Sequence, residues 1–507
     1  MGVLSYQLQK DTLMEIAVGM FSKGLEIFFF LLFVFLVIYL VIIFCIDRFQ
    51  HKHTLRRNYP VIGRFRYFFE HLGIFFRQYF FAMDREELPF NRADRSWVYR
   101  AAKNSSQTVA FGSTKRLKDE GSFLFLNSTF PMPNAAPTSQ LGPKIGLGEH
   151  AYQPKSLFNI SGMSYGALSR PAVEALANGA RMAGVWMNTG EGGISPYHLA
   201  AGCDIVMQIG TAKYGVRTKE GRLDEQRLKA LASESVIKMF EIKLSQGAKP
   251  GKGGILPATK VTKEIAEIRG IEPYKDSISP NSHEEIRNPK ELLDFINLVR
   301  EKTKKPVGIK FVLGEWSWLD EFFQEILNRG VGSAPDFITL DGADGGTGAA
   351  PQSLLDYMGL PLQKSLPLVS DKLAEYGLKE RIVLVASSKL IEPSIIAWAL
   401  CMGADYVVSA RGFMFSIGCI QAMQCHKNTC PTGVTTHDKK LQRGLDPVDK
   451  SHRAASYVKH VQDELAIIAH SCGLNSAWEF SRENAAIFTN NYECEPMKFV
   501  YPEKKGH

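Results

Sequence analysis

The sequence lacks several features that would have placed it at once. No large excess of one charge sign names a polyanionic partner: the formal net charge is +8 over 507 residues. No basic run interleaved with aromatics speaks for nucleic acid. The eight cysteines form no even framework of a small secreted domain, so the bulk is expected in a reducing compartment. There is no internal repeat. A dinucleotide fingerprint is also missing, because Ser161-Gly162-Met163-Ser164-Tyr165-Gly166 has the wrong spacing for G-x-G-x-x-G.

Charge itself is missing from residues 27–46, IFFFLLFVFLVIYLVIIFCI. About 20 helical residues at 1.5 Å each cross a hydrocarbon core of about 30 Å. A signal-peptide core is shorter and ends in small residues, whereas Asp47, Arg48 and Phe49 follow here. The reading is an uncleaved anchor; a buried globular helix is the alternative. Arg48, Lys52, Arg56 and Arg57 crowd its far flank, while Lys10 and Lys23 are offset by Asp11, Glu15 and Glu26. The positive-inside rule then gives a single pass through the cell inner membrane with the C-terminal part cytoplasmic. Residues 61–83 mix aromatics with Arg64, Arg66 and Arg77, as an interfacial helix would, or one packed on the main domain. Residues 84–138 read as a polar collar around the catalytic body. The expected organisation is an N-terminal segment (1–26), transmembrane helix (27–46), juxtamembrane linker (47–150), barrel (151–485) and a mobile polar tail (486–507).

Eight short apolar segments recur at 157–160, 185–188, 205–209, 239–244, 307–312, 337–340, 382–386 and 406–409. Helical patterns at 169–183, 292–302, 318–328 and 393–402 lie between some of them, and another spans 453–470. Such alternation over about 250 residues predicts an α/β fold, a (β/α)8 TIM barrel, with a doubly wound sheet as the alternative. Function in a barrel sits at the carboxyl ends of strands. Those ends carry Glu191 on a flexible-looking glycine loop, Gln208, the run Lys243, Gln246, Lys249 and Lys252, then Lys310, Asp341, Ser388 and Arg411. Gathering Lys243, Lys249, Lys310 and Arg411 at one mouth costs repulsion unless anions such as a phosphate and a dicarboxylate neutralise them. The turn Ala410-Arg411-Gly412 suits a phosphate. Cys419, Cys425 and Cys430 follow it with C-x5-C-x4-C spacing. That spacing suits an iron–sulfur cluster on three thiolates better than zinc; three buried thiols are the plain alternative.

SGMSYGALS, NTGEGG, KLSQGAKPGKGG, DGADGGTGAAP and C-x5-CHKNTCPTGV, in this order, resemble the FMN-binding synthase domain of glutamate synthase over about residues 155–480. The resemblance implies a barrel carrying FMN and a [3Fe–4S] cluster, in which reduced flavin delivers hydride to 2-iminoglutarate made from 2-oxoglutarate and ammonia. By motif, Met163, Ser164, Gln208, Lys310, Gly346, Ser388, Arg411 and Gly412 would surround FMN. Glu191, Lys243, Gln246, Lys249 and Arg269 would face the oxo acid, with Glu191, Gln246 and Lys249 nearest the chemistry. Cys419, Cys425 and Cys430 would ligate the cluster.

The departures bear on substrate. PGKGG stands where the family has PGEGG, Ile255 replaces a glutamine, Ser387-Ser388 replaces paired glycines, and SPNSHEEI replaces SPPPHHDI. The family's glutaminase and NADPH-binding parts are not recognisable. The implied activity is therefore glutamate synthesis from free or partner-supplied ammonia, with electrons from ferredoxin or the quinone pool. The alternative is a membrane flavin/iron–sulfur oxidoreductase acting on another oxo or amino acid and exchanging electrons with quinone. A non-catalytic partner that keeps the barrel for assembly is a third reading.

Overall fold

The computed structural model describes residues 2–133, 141–245, 247, 251–345, 349–489 and 493–502. The chain divides into two compact units, Met1–Pro89 and Phe90–His507.

In the first unit a helix runs through Gly2–Phe49, and Ile16–Phe49 is long and apolar enough to cross a membrane. Almost none of that stretch is buried. Ile43 and Asp47 are the exceptions, and Asp47 has no exposed side-chain surface. It accepts hydrogen bonds from Arg64 Nε (2.7 Å) and Nη2 (2.8 Å), Arg56 Nε (3.1 Å) and the Val61 N–H (3.1 Å). This clamp folds two further helices, Thr54–Asn58 and Gly63–Phe76, back to the end of the first; Gly63–Phe76 continues as a π-helical turn, Arg77–Phe81.

The second unit holds the barrel. Its strands are β1 (Phe158–Ile160), β2 (Met187–Asn188), β3 (Ile205–Ile209), β4 (Ile237–Lys243), β5 (Val307–Val312), β6 (Phe337–Asp341), β7 (Val383–Ser387) and β8 (Tyr406–Ser409). All neighbours are parallel, and β8 closes on β1 through Val407–Phe158 and Ser409–Ile160. Both faces of such strands are covered, so they read as aliphatic runs without polar alternation. The helices between them start where the sequence supplies caps. Ser169 Oγ accepts from the Ala172 N–H ahead of Arg170–Ala183, and Asn288 Oδ1 from the Glu291 N–H ahead of Pro289–Thr303, each with proline in the first turn. The eight strands and the barrel class are those the alternation predicts.

From Phe90 the chain packs on the body. Trp97 Nε1 in the helix Arg92–Ala102 donates to Glu464 Oε1 at 3.2 Å, on the long helix Pro447–Ser471. Part of the tail expected to be mobile, residues 486–488 and 494–500, is built into the fold instead. Ala485–Phe488 pairs with Phe123–Phe125 and Cys494–Pro496 in an antiparallel sheet, and Met497 is fully buried. Its few apolar residues suffice because Phe123 and Phe125 wait for them; a purely local reading misses so distant a partner.

Helix Arg170–Ala183 lies against Pro447–Ser471 at Gly179, where an added Cβ would stand 2.7 Å from Ala454 Cβ and 2.9 Å from the Ser451 carbonyl oxygen. Overpacking of this kind costs about 1–3 kcal/mol. Gly179→Val is therefore expected to lower the unfolding free energy by that amount, read as a fall in the denaturant midpoint; an unchanged midpoint would show that the two helices are free to separate.

Candidate functional site

Side chains facing the barrel interior change in character as the strands rise. The floor is apolar: Trp186, Val206, Met239, Phe337, Val385 and Tyr406 form one buried cluster. Two residues beyond Trp186, Val206, Met239 and Phe337, on the same face, stand Asn188, Gln208, Glu241 and Thr339. Glu241 is 2% exposed and joins them. Its Oε1 accepts from Asn188 Nδ2 (2.8 Å) and Gln208 Nε2 (2.6 Å), and its Oε2 from Thr339 Oγ1 (2.6 Å). One step higher, Lys310 Nζ lies 3.0 Å from Asp341 Oδ2 and Lys243 Nζ 3.4 Å from Glu191 Oε1. Burial alone would lower the pKa of Lys310, but the carboxylates of Asp341 and Glu241 outweigh it and hold the ammonium charged.

Above this layer a cavity opens, with about 250 Å³ accessible to the centre of a water-sized molecule. Of the expected site residues, Met163, Ser164, Glu191, Gln208, Lys243, Lys310, Arg269, Arg411 and Cys425 line it. Gln246, Lys249 and Gly346 lie outside the described residues. Ser388 and Gly412 are not among the residues that line the cavity. An added Cβ at Gly345 would come 3.0 Å from Ser388 Oγ, and one at Gly412 would come 2.9 Å from Ser409 Oγ. Ser388 has φ 138° and Lys389 φ 49°, the region where glycine is at ease. Serine thus occupies a backbone position shaped for the glycine that resemblance expects there.

Two expectations change. The loop carrying Glu191 is a tight turn, Gly190–Gly192, and not a flexible one. Its glycines touch the end of β1, since an added Cβ at Gly190 would stand 2.6 Å from Ser164 N and one at Gly192 2.7 Å from Ser164 Cβ. The cations also do not wait for outside anions alone, because Glu191 and Asp341 already balance Lys243 and Lys310.

Arg269, 5% exposed, donates from Nη1 to Ser277 Oγ (3.2 Å) and lies over the Tyr214 ring at 5.0 Å. Among the described residues its buried Nε has no hydrogen-bond partner. A guanidinium held this way at a cavity wall is suited to an anion.

The three cysteines are free. They are close enough to influence one another: burial pushes the Cys419 thiol up to about 11, opposed by the Gln421 N–H and Arg411 and reinforced by Cys425 and Cys430. At Cys430 burial is outweighed by hydrogen bonds from Thr435 and Thr432, and the thiol is lowered. Arg411 Nη1 lies 3.9 Å from Cys425 Sγ. Among the described residues no three His, Cys, Asp or Glu side chains converge on a single ion.

Two residues escaped the sequence reading. Glu241 sits inside an aliphatic strand, IKMFEIK, and that lone interior carboxylate was the available signal. Lys260, 1% exposed, donates to the carbonyls of Ala167 (3.2 Å) and Cys425 (2.8 Å), tying the cysteine loop to the β1 loop. Nothing local marks it.

A family model described as a conserved region in glutamate synthase matches residues 129–475. The glutamate synthase large subunit-like protein YerD of Bacillus subtilis (strain 168) is 41% identical, with 86% of this chain and 90% of that one covered. An archaeal-type NADPH glutamate synthase of Thermotoga sp. (strain RQ2) is 32% identical over 62% of this chain; the match spans 59% of that protein's length. Among solved structures, the flavin-binding domain of baker's yeast flavocytochrome b2 aligns at TM-score 0.45 and 12% identity over 78% of each chain.

Removing the Glu241 carboxylate strands three buried donors and leaves Lys310 with Asp341 alone. Breaking a buried charge network costs about 3–5 kcal/mol. Glu241→Ala is expected to lose that much stability in chemical denaturation and Glu241→Gln distinctly less; equal losses would contradict a charged hub. A pH effect also follows. Burial depresses His198, His283 and His437 to about 4, and the last two each donate a ring N–H to a backbone carbonyl, Lys243 O and Gly166 O respectively, in the folded chain. In the unfolded chain they take up protons near pH 6.5, so folding stability is whole above that pH and is lost as pH falls to about 4. The loss is up to about 3 kcal/mol for each histidine. Denaturation at pH 7 and pH 4.5 measures it, and His283→Gln should remove about a third of the difference, since three histidines share the shift.

Proposed function

The chain belongs to the glutamate synthase family, whose members are oxidoreductases acting on CH–NH2 donors, and from that premise we propose that it reduces 2-iminoglutarate to glutamate with FMN and a [3Fe–4S] cluster. The single observation that carries the proposal is one cavity wall shared by an anion-seeking guanidinium (Arg269), a lysine–carboxylate pair (Lys243–Glu191), inward amide and ammonium donors (Gln208, Lys310), and the cysteine loop (Cys425).

The residues fit the cofactors. Donors from Gln208, Lys310, Ser388 and Arg411 suit the oxygens and nitrogens of a flavin and its phosphate. Gly162 and Gly345 line the cavity and present bare backbone to it. The three cysteines are free and follow one another on one stretch of chain, so each sulfur could serve a different iron of a cluster. The charge of Arg411 and Lys260 beside them favours thiolates. When bound, FMN supplies the hydride and the cluster supplies single electrons.

The protein's own part is binding and proton placement. Arg269 and Lys243 hold the carboxylates of the oxo acid, and Lys249 is assigned the same task by motif. Orientation of this kind lowers the barrier by removing translational freedom before reaction. Glu191, kept in place by Gly210, whose Cβ would collide with it at 2.7 Å, positions the imine and holds its proton. Gln246 stands with it by motif. Ammonia comes from solution or a separate partner, and electrons from ferredoxin or the quinone pool. The apolar run 27–46 is assigned as an uncleaved, single-pass inner-membrane anchor with the barrel in the cytoplasm.

One observation favours a second reading. Ile255 lines the cavity and is 45% exposed, an apolar side chain where the pocket meets solvent. An oxo or amino acid less polar than 2-oxoglutarate, with quinone as electron partner, would suit it; anaerobic reduction of a quinone analogue tests this.

The main test is reoxidation of the reduced holoenzyme by 2-oxoglutarate plus ammonia. Rapid reoxidation needing both compounds is the expected result, and none with either order of addition refutes the substrate assignment. Arg269→Gln is expected to raise KM for the oxo acid ten- to hundredfold, about 1.5–3 kcal/mol, with flavin content unchanged.

A further inference from the structure

The helix Gly63–Phe76 and its continuation Arg77–Phe81 expose an unusual surface. Phe65, Phe68, Phe69, Leu72, Phe76 and Tyr79 recur at helical spacing and form one stripe. Phe65, Phe68 and Phe69 are 57–61% exposed, and Phe80 and Phe81 exceed 70%. Arg66, Glu70 and Arg77 lie on the other side of the helix, and between Arg48 and Arg77 the sole acidic residue is Glu70. Glu70 is itself paired with Arg66 at 2.9 Å.

The clamp on Asp47 decides where this helix begins. Asp47 is the first charged residue after the uncharged run 27–46, so in an anchored chain it marks the edge of the hydrocarbon. Arg64 grips it through two nitrogens at 2.7 and 2.8 Å. Close packing secures the same turn: an added Cβ at Gly63 would stand 3.1 Å from the Leu55 carbonyl oxygen. The start of the aromatic stripe is therefore held within a side chain's length of the point where the span leaves the acyl chains.

We propose that this stripe lies in the boundary between headgroups and acyl chains of a bilayer containing anionic lipid, with Arg66 and Arg77 reaching lipid phosphates, so that the first unit grips the membrane by a crossing helix and a helix along its surface. The proposal rests on the reading of residues 27–46 as an anchor. Continuity with that span and the nearly unopposed basic charge favour lipid over protein as the occupant. An exposed stripe of this size facing water would drive aggregation.

The test places the photoreactive residue p-benzoylphenylalanine at Phe35, Phe68, Phe76 or Glu70 in the full chain. The protein is reconstituted in vesicles of phosphatidylcholine with or without phosphatidylglycerol, and adducts are identified by mass. Lipid adducts at Phe35, Phe68 and Phe76, several-fold fewer at Glu70, and several-fold more at Phe68 when phosphatidylglycerol is present are expected. Asp47→Asn should lower the Phe68 yield several-fold and leave Phe35 unchanged. If Phe35 gives no lipid adduct, the anchor reading itself falls, and the surface helix with it. If Phe35 labels lipid while Phe68 and Phe76 label the same chain, a second copy, or nothing, the surface helix is wrong and the anchor stands. An Asp47→Asn yield equal to wild type overturns the clamp's role.

Discussion

A carboxylate buried in the middle of a closed barrel is destabilising unless its hydrogen bonds and charge are met in full. Glu241 meets that condition with three neighbours from three other strands, Asn188, Gln208 and Thr339, and with the ammonium of Lys310 above it. The upper half of the site depends on this constraint. With Glu241 satisfied, the amide of Gln208 and the ammonium of Lys310 are fixed in orientation, and each presents its remaining valence to the cavity. Strand register makes the arrangement possible: Gln208 pairs with Glu241 and Lys243 with Lys310 across adjacent strands, so residues of one layer come from neighbouring chain segments at one height.

Charge is graded along the barrel axis. An apolar floor excludes water, a neutral hydrogen-bonded layer carries one carboxylate, and a mouth of ion pairs faces the cavity. Lys243–Glu191 and Lys310–Asp341 leave the mouth near balance, and Arg269 and Arg411 add positive charge at its rim. A ligand carrying a phosphate or two carboxylates meets cations held by rigid strand ends and tight glycine turns, so little reorganisation accompanies binding. Lys260 extends the same rigidity to the cysteine loop by donating to the carbonyls of Ala167 and Cys425.

Much of this was legible in the chain itself. Eight aliphatic segments gave eight strands because parallel strands are buried on both sides and cannot hide polar residues. Strand-end positions such as Gln208, Lys310 and Arg411 were found because barrel topology sends every strand's end to one mouth. What stayed hidden was nonlocal. Glu241 lies within a strand, and its three partners come from strands up to 98 residues away. The pairing of Ala485–Phe488 depends on Phe123 and Phe125, far back in the chain. The rigidity of Gly190–Gly192 could not be read from composition, since glycine serves flexible loops and close contacts alike. Lys260 looked like any loop lysine because its burial comes from the cysteine loop folding over it.

The proposed function requires this barrel to hold a flavin at its mouth within reach of an iron–sulfur cluster on Cys419, Cys425 and Cys430. The most direct measurement is the flavin and iron content of the full chain, purified in detergent without oxygen, together with its visible and electron paramagnetic resonance spectra. One FMN and three irons per chain are predicted, with Cys425→Ser losing the iron and keeping the flavin. A colourless protein with neither, or iron retained in full by Cys425→Ser, would contradict it.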